Sequence, residues 1–163
     1  MKKPIRERGM NFACVQEDGV IASEIVSLNG TVGRSIAVKN FKHLIDHFDP
    51  SSWAGNGPDI LSNIVKSMCN TKNISLMNRE NCQGFRVLPQ KDCYEINYPS
   101  WKKFFDSGYF NEAIQLTKDS FAIHVWNYLS ASTKLSTKSL NVAYIEYAKE
   151  FCPRSLKASG AWF

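Results

Sequence analysis

Two short apolar runs open the chain, NFACVQ (11–16) and VIASEIVSL (20–28), with the polar turn EDG (17–19) between them. Runs of this length, rich in β-branched residues and bounded by turn residues, predict a pair of strands. The spacing then changes. In SIAVKNFKHLIDHF (35–48), Ala37, Phe41, Leu44, Ile45 and Phe48 recur at helical intervals, with Ser35 as N-cap and Pro50 as the stop. A second helix is expected in GNGPDILSNIVKSMC (55–69), where Pro58 sits just inside the start and Ile60, Leu61, Ile64, Val65 and Met68 share a face. GFRVLP (84–89) reads as a strand, and SWKKFF (100–105) and NEAIQL (111–116) as short helices. SFAIHVW (120–126) alternates like a strand, and a loop follows over 128–139. In LNVAYIEYAKEFCP (140–153), Leu140, Ala143, Tyr144, Tyr147, Ala148 and Phe151 form the apolar face of a last helix ending at Pro153. Strands and helices thus mix along the chain, an α/β pattern without internal repeats.

Composition narrows the class. With 163 residues, 44% of them hydrophobic and 21% charged, the chain is expected to form one domain or part of one. The net charge of +5 is spread over single or paired lysines and arginines, so nucleic acid is not an expected partner. No apolar run is long enough to span a bilayer, and the basic opening MKKPIRERGMNF lacks the apolar centre of a secretory signal. The cysteines point the other way. Cys14, Cys69, Cys82, Cys93 and Cys152 show no C-x-x-C pair of the kind that holds zinc. Cys69 and Cys82 bracket the polar stretch NTKNISLMNREN, and a disulfide closing such a loop would stabilise the fold by about 3 kcal/mol. Sequons at Asn29 and Asn73 add to the case for an oxidising compartment. The reading that reconciles these signs is a luminal protein whose N-terminal part is absent from this chain.

Two constellations carry candidate chemistry. On a strand at 120–126, Phe121, Ile123 and Val125 would face the core while Ala122, His124 and Trp126 faced the other way, as beside a cleft. A core histidine held by a neighbouring carbonyl is the plainer account of the same pattern. In WAGNGPDIL (53–61), Gly55, Gly57 and Pro58 make a tight turn into a helix N-terminus, with Asn56 as N-cap and Asp59 in the first turn. Unpaired N–H groups there favour an anion or a hydroxyl-rich ligand.

Taken in order, NGPDILSNIVKSMC, Cys82, VLPQKDCYEINYPSWKKFF, SFAIHVWN and YAKEFCP resemble the C-terminal half of the α-1,4-glycosyltransferases, over about 11–153 with flanking segments 1–10 and 154–163. The resemblance implies part of a GT-A fold, a mixed sheet flanked by helices. It implies a type II membrane enzyme of the Golgi lumen that uses Mn²⁺ or another divalent cation. The donor would be UDP-Gal, UDP-GalNAc or UDP-GlcNAc, and the acceptor a glycolipid or glycan, joined in α-1,4 linkage with retention. His124 would then be a metal ligand or a contact to the diphosphate, with Trp126 and Asn127 in the same cleft. Asn56, Gly57, Pro58 and Asp59 would shape the donor-sugar or acceptor pocket. The family's Asp-x-Asp cation motif has no match here. The expectation is therefore a fragment that is inactive alone; the alternative is a non-catalytic glycan-binding or accessory module.

Overall fold

The computed structural model describes residues 10–16, 19–52 and 54–162; Glu17 and Asp18 of the expected turn, and Trp53, lie outside them. The chain is mixed α/β and divides into two compact units, one ending at Gln90 and the other beginning at Lys91.

The first unit is built on a three-stranded sheet in the order β2-β1-β3. The strands are β1 (Phe12–Val15), β2 (Ile21–Ser27) and β3 (Arg86–Leu88). β1 pairs antiparallel with β2, with an irregularity between Ala13 and Val15, and parallel with β3. A central strand is covered on both faces, so it reads as a continuous apolar run, and Phe12, Ala13 and Cys14 are all buried. Helix α1 (Gly30–His47) begins five residues before the expected start, and its N-cap is Asn29, not Ser35. Helix α2 (Pro58–Met68) begins at the proline, whose fixed φ suits a first turn. Ile36 of α1 and Leu61 and Val65 of α2 meet Ala13, Ile21 and Phe85 in the core. Gly33 is required on α1, because a Cβ there would stand 2.6 Å from the backbone of Leu28 and from Asn11 Oδ1. Ser62 of α2 fastens the start of β2: the Ile21 N–H donates to its buried Oγ at 2.8 Å.

α1 does not pack on the face that the periodicity predicted: none of Ala37, Phe41, Leu44, Ile45 and Phe48 is buried. Phe41, Ile45 and Phe48 are exposed, with Val38 in line with them. This seam is apolar over about three turns, yet nothing among the described residues of its unit covers it. Ile36, one turn earlier, is the residue that reaches the core.

Cys69, at the end of α2, is joined to Cys82 by a disulfide that closes the polar loop between α2 and β3. A 3-10 turn at Ile74–Leu76 gives that loop some order, and Ile74 and Met77 pack on the core. Asn73 caps the turn through its side chain, and both it and Asn29 are exposed.

The second unit has no strand of its own among the described residues. A 3-10 helix (Tyr98–Phe104) leads to α3 (Phe110–Leu116) and a single turn α4 (Asn127–Ser130). Then come α5 (Ala143–Phe151) and α6 (Pro153–Ala158). Pro153, expected to end the last helix, also starts α6, while Leu140 lies outside α5 and is exposed. Buried Tyr94, Ile96, Phe104, Ala113, Ala143 and Ile145 form the centre of this unit.

Beside that centre, the Thr117 and Tyr147 hydroxyls share a hydrogen bond of 2.5 Å, and both reach the Ala113 carbonyl. Burial raises the Tyr147 phenol above its ordinary value; the Thr117 bond opposes this and nearby Glu150 adds to it. Burial raises Tyr144 likewise. A raised folded-state value means that the native protein holds its proton longer than the unfolded chain. Stability is then whole below the unfolded phenol value of about 10 and falls as pH climbs through the folded value. Chemical denaturation between pH 9 and pH 11 should show this decline, and Tyr147→Phe should make it shallower. An unchanged slope in the variant would remove Tyr147 from the account.

Candidate functional site

The segment 120–126 is extended but is not a strand, which corrects the sequence reading. Its backbone is tied to residues 92 and 93: the N–H groups of Phe121 and Ala122 donate to the Asp92 carbonyl, and that of His124 to the Cys93 carbonyl (2.7, 3.1 and 3.1 Å). The two faces differ from the expected ones as well. Ala122 and Trp126 are buried, while Phe121, Ile123 and Val125 are only half-buried, as is His124. Without ladder neighbours on both sides, side chains need not alternate strictly between core and cleft.

Trp126 ends the segment in the left-handed region, at φ 53° and ψ 49°. For a bulky residue this conformation costs about 1–2 kcal/mol. Its indole N–H donates to the Ile96 carbonyl at 2.9 Å, which settles the polar edge of a buried ring. Around it lie the rings of Tyr94 (5.8 Å between centroids), Tyr98 (6.2 Å) and His124 (4.5 Å, edge-on). The Trp126 backbone N–H donates to Nδ1 of His124, at 3.2 Å. With Nδ1 accepting, the neutral imidazole carries its proton on Nε2, and Nε2 is then a donor. His124 is thus held by two neighbours in one tautomer, half-buried against Tyr94 at 5.2 Å. Asn127 follows at once as the exposed first residue of α4.

The second constellation is in the other unit. Asn56 is not the N-cap of α2; Gly57 is. Asn56 instead closes the loop before the helix, accepting from the Asp49 N–H and donating to the Asp49 and Ser52 carbonyls. The Ser51 hydroxyl, and secondly its N–H, hold the exposed Asp49 carboxyl below its ordinary value. Gly57 is used for close packing, since a Cβ there would meet Ser23 Oγ at 3.1 Å. Asp59 is exposed in the first turn of α2, and its N–H donates to the Ala54 carbonyl. The glycines of this turn therefore have structural reasons to be present.

The cation implied by the resemblance, Mn²⁺, favours hard oxygen ligands with room for an imidazole. Among the described residues no group of three or more His, Cys, Asp or Glu side chains is placed to hold a metal ion. His124 supplies one nitrogen at most, and its Nδ1 is engaged by Trp126. These residues by themselves do not fit a cation site. Also among the described residues, no helix is long and apolar enough to cross a membrane. Cys14 and Cys93 are not free thiols, whereas Cys152 is free and exposed.

A feature that the sequence reading missed lies beside Asn127. A cavity of about 710 Å³ opens between α4, the loop after it, α5 and the C-terminal tail. Phe105 and Tyr144 form one wall, stacked at 5.0 Å, and Trp162 another. The pairing of two aromatics 39 residues apart is not a periodic signal, and the tail beyond Pro153 carried no expected element.

Comparison with known proteins shows the family of the chain. Residues 30–159 match the family model described as the alpha 1,4-glycosyltransferase conserved region. Lactosylceramide 4-alpha-galactosyltransferase of Pan troglodytes is 29% identical over 117 residues, 72% of this chain and 32% of that protein. The protein of the same name from Rattus norvegicus is 29% identical over 124 residues, 76% of this chain and 33% of its own length. The Mus musculus protein is 32% identical over 106 residues, 65% and 29% of the two chains. The chain thus spans about a third of the length of these relatives. No solved structure matches it. The match over 30–159, which takes in both constellations, establishes that the chain belongs to the α-1,4-glycosyltransferase family.

Proposed function

We propose that the chain is a portion of a retaining glycosyltransferase that moves a hexose or N-acetylhexosamine from a UDP-sugar to a β-galactoside of a glycolipid or glycan. In this reading it belongs to the C-terminal side of a GT-A catalytic domain facing the Golgi lumen. The acceptor hydroxyl oxygen bonds to the anomeric carbon as that carbon's bond to the UDP oxygen breaks, and the linkage formed is α-1,4. The leaving diphosphate oxygen takes the electron pair and then the hydroxyl proton. The names of the relatives support a galactosyl donor and a lactosyl glycolipid acceptor.

The observation that carries the reading is the hydrogen bond from the Trp126 N–H to His124 Nδ1, which leaves the imidazole proton to Nε2. A donor held in one tautomer is suited to charge that grows on a departing diphosphate, where a preorganised hydrogen bond acts most strongly. Asn127 would border the same anion. The Asn56–Asp59 turn would contribute to a sugar pocket through backbone shape.

A chimera tests the proposal. Residues 11–159 replace the matching third of the Rattus norvegicus relative, and galactose transfer from UDP-galactose to a lactoside is measured. Transfer is expected, and His124→Ala should lower kcat about 100-fold while the melting temperature moves little. A folded chimera without transfer, or equal losses of turnover and stability in the variant, would sink it.

A further inference from the structure

We infer that the cavity beside Asn127 is the acceptor-sugar subsite, taking a hexopyranose ring against Tyr144 and Trp162 and its hydroxyls on Asn127, Thr133 and Lys134. The inference rests on the transferase reading and adds to it where the acceptor lies.

The lining has the chemistry of a sugar site. A pyranose has an apolar face of C–H groups and an edge of hydroxyls, so it needs a flat apolar wall and neutral donors and acceptors together. Here the stacked Phe105–Tyr144 pair gives such a wall, and Asn127, Thr133 and Lys134 bring polar groups to the same space. Burial keeps the Tyr144 phenol protonated well into alkaline conditions, so its oxygen remains both donor and acceptor. Lys134 is the single charged residue of the lining, and its ammonium can donate to sugar hydroxyls. The volume falls within the range of about 300–1,000 Å³ usual for small-molecule sites.

Trp162 is held in place by the tail. After α6 the backbone turns at Gly160, whose φ of +73° is a left-handed value that glycine adopts without strain. The returning strand is then fastened to the loop after α4. The Thr137 N–H donates to the Ala161 carbonyl at 3.0 Å, and the Thr137 hydroxyl to the Gly160 carbonyl at 2.9 Å. A bridge pairs Ser136 with Trp162. These bonds fix an indole that is still 63% exposed, an apolar surface left open at the mouth of a polar-edged cavity. The family match ends at residue 159, so this indole lies beyond the matched region.

The test uses the 163-residue chain and free lactose, observed by saturation-transfer NMR, with circular dichroism to confirm folding. Transfer to the sugar protons is expected, with Trp162→Ala weakening binding at least tenfold and Trp162→Phe restoring it to within about threefold. Lys134→Ala, on an exposed side chain, should weaken binding without affecting the fold. Lactose affinity indifferent to Trp162, or no lactose binding by the folded chain, would overturn the subsite and leave the transferase reading intact. Failure of the chimera to transfer galactose while lactose still requires Trp162 would overturn that reading and keep a glycan site.

Discussion

Replacing Cys69 and Cys82 together by alanine lowers the unfolding free energy by about 3 kcal/mol, enough to shift the folded-to-unfolded ratio more than 100-fold. The bridge joins residues 13 apart in sequence. In the unfolded chain it forbids the many conformations in which that loop is open, and this is the larger part of its effect. The loop itself has little to hold it otherwise. Its residues are mostly exposed, and Ile74 and Met77 are the ones packed against the core. Both sulfur-bearing residues are buried at the base of the first unit, so the substitution also leaves a small void there. Urea denaturation of the oxidised chain and of the double variant should therefore give midpoints well apart. Coincident midpoints would mean that the loop keeps its closed form without the bond.

How much of this was legible from the residues depends on where the physical constraint lay. β1, β2, β3 and α2 were readable because each satisfies its period within a few residues and packs against neighbours in the same unit. α1 shows the limit of that reasoning. Phe41, Ile45 and Phe48 have the spacing of a core face, yet the pattern states only that the face is apolar, not that its cover belongs to this polypeptide. With the chain spanning about a third of its relatives, an uncovered seam is physically reasonable.

The candidate site was legible in part for a different reason. An imidazole and an indole two residues apart were visible, but alternation alone could not distinguish a strand from a segment that makes a few backbone bonds outside any ladder. The left-handed turn at Trp126 left no trace in the pattern, since tryptophan is not a residue that signals it. The helix-start turn was legible only as a motif. Its glycines and asparagine suggested a ligand, and the structure gives them a further use in close packing and loop closure around Ser23, Asp49 and Ser52. The aromatic cavity was beyond reach because its walls come from segments far apart in sequence.

The αL turn makes an unusual order of stabilities the expected result at Trp126. Replacing this buried indole by alanine should cost about 3–5 kcal/mol, from lost burial and from the cavity left among Tyr94, Tyr98 and His124. Glycine removes still more side chain and is ordinarily worse than alanine by about 0.5–1 kcal/mol through the entropy of the unfolded backbone. At φ 53° the balance reverses, because alanine retains a Cβ that clashes in this region and glycine does not. Trp126→Gly should therefore be the more stable of the two, by a margin near 1 kcal/mol. Phenylalanine separates the remaining contribution. It keeps most of the apolar volume but leaves the Ile96 carbonyl without its indole donor, for a cost of about 1–3 kcal/mol. The order expected from denaturant titration is thus tryptophan, phenylalanine, glycine, alanine. Alanine above glycine would show that the backbone relaxes out of the left-handed turn when the indole is gone.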